Sequence, residues 1–426
     1  MPIFDQGYQH WRGPLSGRMW RWWTIAKQGV RVQMLSRNVR VLMILSWVPA
    51  LALVTFMALW GLVEKKSEGI LAFVRNILPA DVLTDPLAYR EPIWTLAFSN
   101  FFKTQMFFIM LLVAICGRGL ISTDLRFNAL PLYFARPLTR FDYFLGKLGV
   151  IGALVASVAV GPAVLAYVVG VFFSLDPGVI KVTWKVLLGS IVYGLVVTLS
   201  AGTLVLAISS LSRRSLYVAC AWVGLWIISG SVAAPLTEEH RFSLRQTLYD
   251  EEMDRWEAEH PAPPGVRVQR EFMGRGRGPR PVRAPQPMFR RAPGQGLLQN
   301  AGNDGWVEQR EKASQEAQLR VEQRWPEEIR KDWRPLCSYV NNLERIEEQL
   351  LDTDSAWVTF GKASVKAGRM MGAAPGEIAG PANERFLADQ FVPQFPWQWS
   401  AGVLAGLLGI SLWILTTRVK SLDRLK

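Results

Sequence analysis

The sequence predicts an all-α polytopic membrane protein with six transmembrane helices. It adds an amphipathic N-terminal interfacial helix and a large, partly disordered extracytoplasmic insert between spans five and six. Three observations carry this. Half of the 426 residues are hydrophobic while 19% are charged, and the two kinds are segregated rather than mixed. Apolar runs at 41–62, 105–121, 148–173, 186–210, 216–235 and 400–417 approach the roughly 20 residues needed to cross a bilayer as a helix. Lysine and arginine gather in alternate connections, as the positive-inside rule requires of six spans with both tails on the cytoplasmic side.

Residues 1–40 form a cytoplasmic N-terminal region. Within it Trp20, Arg21, Trp22, Trp23, Val30, Arg31 and Leu35 mix aromatic, aliphatic and basic side chains below span hydrophobicity. That composition predicts a helix lying in the membrane interface. The run starting at Val41 is too long for a signal-peptide core, and the charged Glu64–Lys66 that follow offer no small-residue cleavage pattern.

The second run is the shortest, bracketed by Lys103 and Arg118. Both long side chains are expected to snorkel to the headgroups, with 93–102 an interfacial or re-entrant helix ahead of the span. Pro49 and Pro162 are expected to kink their spans and free backbone carbonyls. Small residues recur at helical spacing at Ala153, Ser157 and Gly161 and again at Ala401, Ala405 and Gly409 beside Gly402 and Gly406. Gly402 and Gly406 mark either packing within the chain or a dimer contact.

The insert, 236–399, divides by composition. Residues 261–296 are rich in Pro, Gly and Arg and are expected to be disordered. Residues 306–334 alternate in charge and predict a solvated helix broken near Pro326. Tyr339, Val340, Leu343, Ile346, Leu350 and Leu351 recur at helical spacing, predicting an amphipathic helix resting on the membrane surface. An aromatic belt from Phe395 to Trp399 leads into 400–426, the last span and its basic tail.

The net charge of +13 does not point to nucleic acid. Residues 237–399 hold 23 Lys/Arg against 25 Asp/Glu, so the excess sits beside the spans, where topology and anionic lipid account for it. No phosphate-binding loop, nucleophile–base set or zinc motif is present. His10, His240 and His260 are scattered, and Cys116, Cys220 and Cys337 give neither a disulfide framework nor a metal-ligand spacing. The chain is therefore expected not to be an enzyme and to bind no metal or cofactor itself. With almost no acids inside the spans and no inverted hydropathy repeat, a secondary transporter is disfavoured.

The connector at 122–147 is the most informative segment. It opens on Leu120-Ile121 and Asp124, continues through Arg126, Asn128, Tyr133 and Phe134, then Arg136-Pro137-Leu138-Thr139-Arg140, and closes on Gly146-Lys147. In order and spacing this resembles the connector of ABC-2 type permeases, the membrane subunits of bacterial ABC exporters. The resemblance extends over about 1–235 and 336–426. Asp124 stands where many members have Glu, and Asn128-Ala129 where they have Gly-Thr. Asp keeps the charge, and Asn tolerates the turn conformations open to glycine.

The resemblance implies a permease subunit in the bacterial cytoplasmic (inner) membrane, working as a homodimer or heterodimer of permeases. ATP and Mg would be held by a separate ABC ATPase. Asp124, Arg126, Arg136, Pro137 and Arg140 would then couple that ATPase to the spans, or else anchor the loop to lipid headgroups. The alternative function is a membrane scaffold or assembly factor with a permease-like fold. The transported substrate is not legible.

Overall fold

The computed structural model describes residues 20–70, 80–134, 138–263, 300–359 and 394–418. Among them there is no strand, and six helices are long and apolar enough to cross a membrane. The chain is a multi-pass, all-helical membrane protein. The segment expected to be disordered lies almost wholly outside the described residues, as do Arg136, Pro137 and 419–426.

Helix α1 (Arg21–Leu35) ends where Ser36 turns to an extended conformation, and α2 (Arg37–Glu64) follows. A short α3 (Ala80–Thr84) precedes α4 (Arg90–Gly117). Two five-residue helices, α5 (Ser122–Arg126) and α6 (Leu130–Phe134), lead into α7 (Arg140–Val155). One π-helical stretch (Ala156–Val160) joins α7 to α8 (Gly161–Phe173). Then come α9 (Val179–Leu211), α10 (Ser215–Glu259), α11 (Asn300–Ile329), α12 (Tyr339–Leu351) and α13 (Trp397–Arg418).

Helices α4 and α9 lie at the centre. Helices α2, α7 and α10 pack on one or both of them, α8 pairs with α2, and α13 joins α9. In lipid such association rests on close packing and hydrogen bonds, since the surrounding chains are as apolar as leucine. Trp94 packs beside Phe98 and edge-on to Tyr167. Gly170 makes room for it: a Cβ there would meet the Trp94 ring at 2.6 Å. Trp222, fully buried, donates its indole N–H to the Met110 carbonyl at 3.0 Å.

Pro162 explains the π-helical stretch. It has no N–H to give the Val158 carbonyl four residues back. The carbonyl instead accepts from Gln105 Nε2 of α4 at 2.8 Å, and Gln105 is completely buried. The carbonyl freed by proline thus becomes a cross-helix bond.

Helix α1 lies across α7. A Cβ on Gly146 would come within 2.7 Å of Ile25 Cβ, and one on Gly149 would meet Ala26 at 3.0 Å. Glycine at both positions lets the two backbones approach. The opposite face of α1 leaves Trp20, Trp23, Val32 and Leu35 exposed.

Four expectations are sharpened or corrected. The helix that carries the second apolar run begins ahead of it: residues 93–102 are no separate helix but belong to the continuous 28-residue α4. The helix that carries the fifth run continues past 235, since α10 runs on through 259, about 35 Å further at 1.5 Å per residue. Helix α11 is unbroken at Pro326, because Trp325 and Ile329 on either side are buried against Leu248 of α10, with Val321 completing the cluster. Nor is α11 merely solvated. Glu252 receives Arg320 at 3.4 Å and Arg324 at 3.3 Å, and Arg245 stacks over the Trp325 ring at 4.5 Å. Helices α10 and α11 make an antiparallel arm projecting from one end of the bundle.

The fourth correction matters most for function. Helix α12 does not rest on a surface but packs among α4, α9, α10 and α13. Tyr339 Oη lies 2.8 Å from Ser200 Oγ, and Ser200 is about 16 Å short of the far end of α9 by helical rise. At its other end Leu351 O accepts from Thr95 Oγ1 at 3.4 Å. A Cβ on Gly189 would lie 2.7 Å from the Leu350 carbonyl oxygen, so α9 needs glycine where α12 leans on it. The segment is re-entrant: it leaves the arm, enters the bundle and returns to α13.

Candidate functional site

Two constellations stand out, at the connector end of the bundle and around α12. At the connector, Ser209 Oγ of α9 accepts the backbone N–H groups of Ile121 (3.2 Å) and Ser122 (3.0 Å), fixing the chain as it leaves α4. Asp124 Oδ2 then accepts from Tyr143 Oη and Lys147 Nζ of α7, both at 2.7 Å. The Lys147 ammonium sits over the Tyr143 and Tyr133 rings at 5.4 and 6.0 Å. Burial, with Asp124 adding to it, raises the Tyr133 phenol above its ordinary range.

Asp124 is mostly buried, with its oxygens turned to α7, and joins the short helices to the third span. Asn128 closes α5 at φ 50°, the left-handed conformation that asparagine tolerates better than most residues. Gly146 admits α1, and Lys147 holds Asp124.

Arg126 is exposed, its guanidinium over the Phe127 ring at 5.5 Å. Phe127 and Phe141 are 72% and 71% exposed beside it. Arg140 is the first residue of α7. Thr139 caps that helix reciprocally with Asp142: its Oγ1 accepts from Asp142 N at 3.1 Å, and Asp142 Oδ2 accepts Thr139 N at 3.2 Å. Arg136 and Pro137 lie outside the described residues. Gly402 and Gly406 are far from all of this, and a Cβ on either would meet nothing within 4 Å. Among the described residues, their face of α13 is open.

The second constellation was missed by sequence reasoning. Lys103 was expected to snorkel, yet its Nζ lies 3.0 Å from Glu348 Oε1, with 39% of the side chain exposed at the flank of the bundle. Arg345 donates to the Phe395 carbonyl at 2.9 Å and pairs with Glu348 (3.3 Å) and Asp354 (3.2 Å). Glu347, 1% exposed, makes no well-aligned hydrogen bond with either oxygen. Burial pushes its carboxyl well above the ordinary carboxylate range, against Lys103 and the nearby Ser99 hydroxyl. Burial also raises Glu344. The available signals were the i, i+3, i+4 spacing of Glu344, Glu347 and Glu348, and a lone lysine amid the aromatics of α4.

A third cluster braces the arm end. Glu64 accepts from Arg90 Nε (2.9 Å) and Nη2 (2.8 Å), Trp60 Nε1 (3.0 Å), Ser174 Oγ (2.6 Å) and Leu175 N (3.3 Å). Arg90 also reaches Asp176 at 2.8 Å. This ties α2, α4 and the α8–α9 turn together.

Among the described residues no three His, Cys, Asp or Glu side chains are placed to hold a metal ion. No protein-family model matches the chain, and no curated protein or solved structure shows significant similarity to it.

Proposed function

We propose that the chain is the transmembrane permease subunit of an ATP-binding cassette exporter in the bacterial cytoplasmic membrane, with both termini cytoplasmic. The observation that carries the reading is the connector. Its residue pattern resembles that of ABC-2 permeases, and it is braced to two spans while presenting Arg126 and Phe127 outward. A force applied to α5 would pass through Asp124 to α7 and through Ser209 to α9. That is what a helix seated in a groove of a moving ATPase needs. The ATP and Mg belong to that partner, and this chain supplies the pathway. Two permeases, identical or not, would form it at their interface, opening by rigid-body tilting. The open face at Gly402 and Gly406 fits such a contact, and the exposed tryptophans of α1, flanked by Arg21 and Arg31, fit an interfacial helix.

The test is co-expression with a candidate ABC ATPase, followed by capture through a tag on this chain. We expect the ATPase to co-purify, and Arg126→Glu with Phe127→Ser to abolish capture while the six spans remain folded. Capture that survives the double substitution and also Arg136→Glu with Arg140→Glu would refute the connector's role. The arm favours a second reading, a membrane scaffold that recruits a partner on the far side. Failure of any ATPase to associate, together with capture of a partner lost on deleting 240–330, would support it.

A further inference from the structure

We propose that Glu347 is a proton-binding site: it holds a proton while α12 is seated in the bundle and releases it to water when α12 withdraws. The inference goes beyond the exporter reading and holds whether or not an ATPase docks on the connector.

The argument starts from the charges around α12. The helix brings Glu344, Arg345, Glu347 and Glu348, and Asp354 follows it. Helix α4 contributes Lys103, with Ser99 and Thr95 as neutral hydroxyls. Helix α9 contributes the buried phenol of Tyr193, packed edge-on to Phe102, and Ser200 bonded to Tyr339. Buried Ser400 comes from α13. Four acidic side chains thus face two basic ones. Both cations are engaged, Lys103 by Glu348 and Arg345 by Glu348, Asp354 and the Phe395 carbonyl. Glu347 remains, 1% exposed and with neither oxygen in a well-aligned hydrogen bond.

An ionised carboxylate left so would bear an uncompensated desolvation cost, and a bound proton removes it. Withdrawal of α12 carries the carboxyl away from Lys103, which interacts with it from one side, and out to water, where the proton leaves. The step is a simple transfer: the carboxyl O–H bond breaks, the proton passes to water, and carboxylate and hydronium are left.

The linkage has a fixed sign. The proton is bound more tightly in the seated state, as burial of the carboxyl demands. Seating is therefore favoured most at a pH below the ordinary glutamate value of about 4.3. It weakens about tenfold per pH unit above that, until the seated carboxyl itself ionises.

The experiment uses the full chain in lipid nanodiscs, with Cys220→Ser, Cys337→Ser and Thr353→Cys. Thr353 is buried just beyond α12. Labelling by a membrane-impermeant maleimide is followed against pH and divided by the rate in the same background carrying Glu347→Gln, which cancels the thiol's own titration. The ratio should climb with pH, approaching tenfold per unit, and a flat ratio would overturn the proposal. Infrared spectra near neutral pH should contain a protonated-carboxyl stretch that Glu347→Gln removes; an unchanged spectrum would also overturn it. Should Glu347→Gln fail to fold, Lys103→Met serves instead. With the nearby cation gone, the carboxyl band should persist to higher pH than in the parent, and its loss at lower pH would refute the site.

Discussion

Replacing Arg90 with methionine keeps an unbranched side chain in α4 but removes the guanidinium that grips Glu64 through two bonds of 2.9 and 2.8 Å. Glu64 is 3% exposed and cannot turn to water, so it keeps only Trp60, Ser174 and Leu175 N as donors. Asp176 also loses its partner but is half exposed and finds solvent. Breaking one side of a buried pair costs about 3–5 kcal/mol. The carboxyl's escape is to take a proton, which for an ordinary glutamate costs about 3.7 kcal/mol at pH 7 and so limits the electrostatic part. The melting temperature should fall on the order of 3–6 °C. Heating the Cys220→Ser, Cys337→Ser protein in detergent with a thiol-reactive fluorophore measures this, since Cys116 is buried and reacts only as the bundle opens. The joint change Glu64→Leu with Arg90→Leu should recover much of the loss, because no charge is then stranded. An Arg90→Met protein melting within about a degree of the parent would refute the assignment of this cluster as the brace of the arm end.

Asp124→Asn should cost about 1–3 kcal/mol by stranding Lys147 and should weaken ATPase stimulation in the reconstituted complex, read as phosphate release. Gln105→Leu leaves the Val158 carbonyl unpaired beside Pro162 and should cost about 1–2 kcal/mol, checked by the same thermal assay. Gly146→Val should lower the melting temperature by several degrees through its clash with Ile25, whereas Gly402→Val should leave it unchanged; crosslinking then reads any effect of the latter on dimers. Glu252→Gln should cost under about 1 kcal/mol, since its arginines are largely exposed, and should speed hydrogen exchange in 300–329.

The sequence by itself determined the class of the protein. Six apolar segments and the alternation of basic connections require helices that satisfy their own backbone in lipid, because nothing else in that medium will. It also made Asn128 legible as a turn residue and Pro162 as a source of a free carbonyl, since both follow from one residue's backbone chemistry. What it could not give were partners distant along the chain. Gln105 finds the Val158 carbonyl, Glu64 finds Arg90, and Asp124 turns inward to Lys147, each decided by how helices pack. Gly402 and Gly406 carried the spacing of a packed stripe, but orientation about the α13 axis left them facing outward. The sharpest case is α12. Its amphipathic pattern specified a helix with one polar face and not what that face would meet. Only the folded bundle, by setting Lys103 of α4 against Glu348, drew a charged segment in from the arm side and left Glu347 buried near Lys103 with neither oxygen in a well-aligned hydrogen bond.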